Sequence, residues 1–549
     1  MVRSCLLGLL SALALGMGVG CSSSGSSPDA GTGLSLSPDA VRLAEQATFG
    51  PTVAGVQDIQ QRGAAAWIDA QLQLPPSDLG TYPVIPDNVN TVCPVGSPAA
   101  CFRDNFTPFP TQTAFFRNAI GGPDQLRQRV AFALSQIVVV SGAEVRPNYA
   151  VAEYQKLLLR DAFGSYRQVL QDVTLSPAMG RYLNMVNNDK PNAALGTNPN
   201  ENYARELMQL FSIGLVQLNA DGSAVVDGSG APVPTYDQDV VKAMARVFTG
   251  WTYPTQPGAN LRGHNPEYYI GPMIPVAANH DTGAKQILGG TVLPAGQTAD
   301  TDLQQALDTL FAHPNLGPFI GKQLIQHLVT ANPNPAYVAR ISAVFANDGN
   351  GTRGNLGAVV RAILLDPEAR GDSKADPSYG RVKDPVLLLT GLARALGATT
   401  DGVYFASAAG ALEQSVYQSP SVFSFYPPDY PLAGGGGLLS PASALLDSAS
   451  VFTRANVVWK LLYAPPGPDP TVTSSTGTQT SLGDLASLGG DADTLARSAD
   501  ALFLHRTMPD AMRSAITGAV NARDPSDVSG RIRAVAYLVL TSPGYQVER

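Results

Sequence analysis

Charge is scarce in this chain: only 15% of its 549 residues are Asp, Glu, Lys or Arg, against roughly 25% in an average soluble protein. The 36 basic residues are outnumbered by 44 acidic ones, leaving a formal charge of −8. That balance excludes a nucleic-acid binder, which needs a basic face to displace counterions. Long apolar runs are absent beyond the first 20 residues, and none approaches the ~18 residues of a spanning helix. Alternating strand patterns are also scarce, so a β architecture is excluded. No fixed repeat period is present. The G-x-S-x-G elbow and the HExxH helix are both missing. What remains is 44% apolar, enough for a sizeable core and too much for global disorder. With 54 Gly and 43 Pro, long loops are expected.

The N-terminus carries the clearest signal. Met1-Val2-Arg3 is a short positive segment, and Leu6–Val19 is an apolar run of signal-peptide length. Gly18-Val19-Gly20 then precede Cys21. This arrangement resembles a bacterial lipoprotein signal, whose cysteine is acylated after cleavage, with Gly18 where such signals usually carry Leu. An ordinary secretory signal cleaved nearby is the other reading. Ser22–Pro28 is a flexible polar tether, and Ser22 rather than Asp after the cysteine resembles lipoproteins destined for an outer membrane. Cys5 leaves with the signal and Cys21 would be acylated, so Cys93 and Cys101 are the remaining thiols. They flank a turn-rich stretch in an exported chain, which points to a local disulfide. A zinc pair is the weaker reading, because no His or second Cys pair lies nearby.

Helical spacing dominates the body. Ser37-Pro38 reads as an N-cap and first-turn proline opening a helix through Gln46. Thr52–Gln61 forms another, ended by Gly63. Further helices are predicted over Asp124–Val140, Pro199–Ile213, Asp237–Phe248, Leu316–Thr330, Asp384–Leu396 and Pro441–Tyr463, among others. One small hairpin is predicted from Ala224–Val226 and Pro232–Pro234. The expected organisation is a signal peptide over 1–20, a tether over 21–36, a main helical domain over 37–463, a linker or surface loop over 464–490, and a C-terminal helical unit over 491–549 packing on the main body. The fold class is mainly α: a large multi-helix body with long Gly/Pro-rich loops and at most a small β-hairpin.

Two lookalike motifs are set aside. Gly317–Gln323 imitates a phosphate-binding loop but is one residue short and lacks the Ser/Thr for magnesium; it reads as a helix start. Asn347–Gly351 resembles a calcium loop without the Glu at its twelfth position, and reads as a turn.

Two polar words hold the candidate site. On a helical wheel, Glu201, Asn202, Arg205, Glu206, Gln209 and Ser212 share one face, with Tyr203, Leu207, Met208, Leu210 and Phe211 opposite. If that face lines a cleft, Glu201 and Glu206 are acid/base carboxylates or ligands, and Arg205 keeps one ionised. If it faces solvent, Glu201–Arg205 is an ordinary i,i+4 pair. The second word is His280-Asp281 with Lys285 downstream, where Asp281 would fix the imidazole tautomer. Together with His264 and Glu267 it forms a loose set of ligands for a divalent metal, without helical spacing; the competing reading is loop histidines bonded to backbone. His313 and His327 lie on amphipathic helices and read as structural, and His505 sits near a helix end, where a cation suits the dipole. Phe248–Tyr253 places two aromatics at a helix exit, best read as packing.

The words Ala47–Pro51, Arg127–Gln136, Asn200–Leu207, Phe248–Trp251, His280-Asp281, Gly317–Ile320 and Thr541–Val547 occur in that order. Together they resemble the bacterial family catalogued as "domain of unknown function 1800", from about Pro38 to the C-terminus. The resemblance implies an exported, large, mostly helical protein, with no established reaction attached. It also implies a partner: genes of this family often accompany those of an exported, alkaline-phosphatase-like family. The functional expectation is an exported, lipid-anchored envelope protein, with the membrane engaged through Cys21. It is either a hydrolase-like enzyme using Glu201, Arg205, Glu206, His280 and Asp281, or a non-catalytic binding or scaffold protein.

Overall fold

The computed structural model describes residues 33–549, apart from 375 and 377. The expected signal peptide, Cys21 and most of the expected tether lie outside the described residues. The fold is mainly α, 49% helical, with strands confined to short antiparallel pairs. Among the described residues, no helix is long and apolar enough to cross a membrane.

Local chemistry sets many of the helix ends. Ser37 caps the helix Pro38–Ala47 by accepting from the Ala40 amide, and Gly63, at φ 80°, ends Val53–Arg62. Two predicted helices come out shorter. Over Pro199–Ile213 the helix spans only Asn202–Gln209. Upstream of it the Asn200 amide is held by the Asn188 side chain at 2.8 Å, so the chain enters the helix late. Over Pro441–Tyr463 a 3-10 turn, Pro441–Leu445, precedes a separate helix, Ser448–Tyr463. Asp447 and Ser450 form a capping box there and restart the helix.

The predicted hairpin is present as bridges, Val226 opposite Pro232, and Leu215–Leu218 joins it as a third extended segment through Val216–Pro234 and Leu218–Ala224. Among the described residues there are four two-residue strand pairs, one of them a local hairpin. Trp251–Thr252 pairs with Ile274–Pro275, and Lys285–Gln286 with Val292–Leu293. Arg381–Val382 pairs with Val547–Glu548, and Thr399–Thr400 with Thr478–Gln479. The third pair places Arg381 directly opposite Glu548, so the two side chains share a face.

The main apolar core runs from Leu36 to Tyr545 and includes the aromatic cluster Phe49, Phe115 and Phe132. The helix Gln125–Ile137 lies inside it, with Val130, Ala133 and Leu134 at 0% exposure. A small satellite core of Tyr426, Ala442 and Leu445 sits beside Val382 under the 420–446 segment. The disulfide Cys93–Cys101 is formed, at a Cα separation of 5.8 Å, which sets the zinc reading aside.

The lookalike motifs also resolve. Gly317 and Pro318 lie in the first turn of Leu316–Leu328. In the Asn347–Gly351 loop, the Asn347 and Asp348 side-chain oxygens accept amides of the loop itself. That is turn chemistry.

Candidate functional site

The sequence-predicted residues fall into separate places. Glu201 accepts from Arg205 at 2.9 Å and from the Gln238 amide at 2.7 Å, at the surface. Glu206 turns inward: it is 9% exposed and its Oε2 is buried with no hydrogen-bond partner. Burial raises its carboxyl above the usual range, and Arg205 offsets this only in part. The wheel had placed Glu206 on the polar face; it occupies that face's edge, beside Leu210, and packing takes it inside.

His280 and Asp281 belong to a closed clasp. Gly250, at φ 82°, brings the backbone of Phe248–Trp251 against His280, where any Cβ would stand 2.8 Å from the His280 nitrogen. His280 Nδ1 faces the Thr249 carbonyl at 2.9 Å and Nε2 the Asp302 carboxylate at 3.1 Å. Asp302 also accepts from Lys285 at 2.6 Å and from Gln297 at 2.6 Å. Lys285 donates its other protons to the Gly283 and Asp281 carbonyls. The His280, Lys285 and Asp302 side chains are at most 1% exposed. Asp281 is held bidentately by Arg246 at 2.7 and 3.0 Å. It therefore orients an arginine, not the imidazole; the carboxylate partner of His280 is Asp302. Two words of the family pattern, Phe248–Trp251 and His280-Asp281, are thus each other's packing partners.

The expected ligand set does not assemble. His264, half exposed, pairs with Asp189 at 3.0 Å. Glu267 stands 3.5 Å from Arg181. No group of three or more His, Cys, Asp or Glu able to hold a metal occurs among the described residues. No hydrogen bond or ion pair among the described residues joins Glu201, Arg205 or Glu206 to His280 or Asp281. On the helix Gln238–Val247, Gln238 meets Glu201 and Arg246 meets Asp281. Eight residues of helix separate them, roughly 12 Å.

A different constellation has the features of a ligand site. A cavity of about 80 Å³ opens between the helices Gln125–Ile137 and Leu316–Leu328, the strand Arg381–Val382 and the segment 422–428. Gln136, Gln323, Gln326, His327, Arg381, Ser424 and Tyr426 supply its polar groups, with Phe423, 49% exposed, at the rim. Arg381 gives its Nε to Glu548 at 2.7 Å, but its buried Nη2 has no partner. Gln136 Oε1 and Ser424 Oγ are likewise buried and unpartnered. Arg129 lies seven residues, or two turns, before Gln136, on the same helix face. It donates to the His327 carbonyl at 2.9 Å and leaves its Nε unpartnered.

The electrostatics follow from this crowding. Burial, with Arg381 nearby, pushes the Arg129 guanidinium down to about 10, still charged at neutral pH. Burial and the two guanidiniums push His327 down to about 3, so its ring is neutral. Its ring nitrogens make no hydrogen bond among the described residues. Ser424 sits at φ 64°, strained backbone of the kind found at functional sites. A neutral imidazole beside two buried guanidiniums, with a free donor and a free acceptor, is equipped to hold an anion. His327, read as structural from its helical spacing, is therefore a cavity residue. Arg129 and Gln136 were legible as polar residues seven apart on an apolar helix; Arg381–Glu548, 167 residues apart, was not.

Fold and site together define a mainly α protein with one closed polar clasp and one cationic cavity. The chain belongs to the family described as "Protein of unknown function (DUF1800)", whose family model matches residues 42–547. No curated protein and no solved structure matches the chain.

Proposed function

We propose that this is an exported, lipid-anchored envelope protein that binds a small anionic ligand in the Arg381 cavity. The observation that carries the binding role is Arg381 Nη2, a buried cationic donor with no partner, beside Arg129. Leaving such a donor unpaired costs about 1–3 kcal/mol or more, which an anion would recover. The segregation of Glu201 and Glu206 from His280 and Asp281 favours binding over acid/base hydrolysis by that set. Export and anchoring are supported by the Met1–Arg3 charge, the Leu6–Val19 run and Cys21, and the disulfide suits an oxidising compartment. Association with an alkaline-phosphatase-like exported protein rests on the family resemblance.

Thermal melting of the full-length lipoprotein tests the binding role. Acetate and phosphate should raise the melting temperature above a chloride control of equal ionic strength; acetamide, the neutral analogue, should not. Saturation at 100 times Kd corresponds to about 2.7 kcal/mol. No rise with any anion, or an equal rise in Arg381→Gln, sinks the reading. For the anchor, Cys21→Ser should move the protein from the membrane to the soluble fraction, and an unchanged membrane fraction contradicts it.

A further inference from the structure

The cavity wall carries two kinds of unmet hydrogen-bonding demand, and no simple oxyanion meets both. Arg381 Nη2 is a donor only and calls for an anionic acceptor. Gln136 Oε1 is an acceptor only, and calls for a donor. The Gln136 amide is not free to flip, because its nitrogen reaches toward the Phe132 carbonyl, 3.5 Å away. A neutral His327 ring offers one donor and one acceptor, and Ser424 Oγ adapts to either. Acetate or phosphate would fill the arginine and leave Gln136 Oε1 buried and unpaired. A neutral polyol would do the reverse.

Size narrows the ligand further. A cavity of about 150 Å³ holds benzene. One of about 80 Å³ therefore encloses roughly three non-hydrogen atoms, the size of a carboxylate group, and the remaining atoms of a short ligand would reach the open rim at Phe423. An amino acid would present its donor as an ammonium, for which the nearby carboxylates are already engaged: Glu548 by Arg381 at 2.7 Å and Asp384 by Tyr426 at 3.0 Å.

Resting on the anion-binding reading above, we propose that the cavity selects a small hydroxycarboxylate of two or three carbons, the class of glycolate and lactate. Its carboxylate takes Arg381 Nη2, and its hydroxyl donates to Gln136 Oε1 or to the His327 ring. Acetate, glycolate and glycine differ by one group each and separate the alternatives. By calorimetric titration of the full-length protein, glycolate should bind about tenfold tighter than acetate, the worth of one buried hydrogen bond. Glycine should bind more weakly than either. Gln136→Met should bring glycolate down to the affinity of acetate, and Ser424→Ala serves as a second cavity variant should Gln136→Met fail to fold. Acetate binding as tightly as glycolate, or phosphate binding more tightly, overturns the hydroxycarboxylate while leaving the anion site standing. Binding by none of these overturns both.

Discussion

Replacing Asp302 with asparagine should unfold the His280 clasp without touching the cavity. Asp302 holds Lys285 at 2.6 Å and His280 at 3.1 Å, with all three side chains at most 1% exposed. Asparagine keeps the shape and one acceptor oxygen but removes the charge, so the Lys285 ammonium is stranded. Removing one partner of a buried ion pair costs about 3–5 kcal/mol. The retained oxygen puts this substitution at the lower end, about 3 kcal/mol. With a urea m-value of about 3 kcal/mol/M, the unfolding midpoint should fall by about 1 M. Asp58→Asn, in the exposed Arg62–Asp58 pair, is the control and should not shift it measurably. The effect carries a pH signature. Burial alone would raise the Asp302 carboxyl, but hydrogen bonds from His280, Lys285 and Gln297 override it and hold the group below its usual range. The folded value lies below the unfolded one of about 3.9, so this stabilisation is complete above about pH 4 and is lost as pH falls through the folded value. The gap between wild type and Asp302→Asn should therefore close in acid. A midpoint unchanged at pH 7, together with lost function, would refute the clasp and restore His280 as a working residue.

Three further outcomes are expected. Ser424→Asp, at a φ of 64° that aspartate tolerates, places a tethered carboxylate in the cavity; it should raise the melting temperature and abolish acetate binding, and unaltered binding would count against the site. Glu206→Gln should be at least as stable as wild type at pH 7, because burial holds the folded carboxyl above its unfolded value and its ionisation destabilises the fold as pH rises past about 4.3. The advantage should vanish near pH 4, and a less stable variant at pH 7 would show that the charge is needed. Cys93→Ser with Cys101→Ser should cost about 2–3 kcal/mol in denaturant unfolding, from the short closed loop, and no loss would mean the bridge constrains nothing.

Helix existence was legible in the sequence because an apolar stripe of period 3.6 reports directly on a core. Helix boundaries were legible where the cap is local, as at Ser37 and Gly63, and not where a distant residue decides, as Asn188 does for Asn200. The candidate site was legible only in its parts. His280-Asp281 was singled out, but adjacency in sequence suggested a pair that the fold does not make: alternate directions send Asp281 to Arg246 and His280 to Asp302. The cavity depends on a two-residue strand pair that joins Arg381 to Glu548 across the chain, and no local spacing encodes that pairing. Arg129 and Gln136 were not singled out, although polar groups on the inner face of a buried helix must answer to something.

The cavity and the clasp make opposite predictions for two of only five histidines in the chain, few enough for each to be followed by nuclear magnetic resonance. With ring signals assigned through His327→Gln and His280→Gln, the full-length protein is titrated with glycolate at neutral pH. The His327 signals should move saturably as the anion settles against Arg381, while those of His280 stay fixed. Movement of His280 with His327 unchanged would contradict the account and return the site to the clasp.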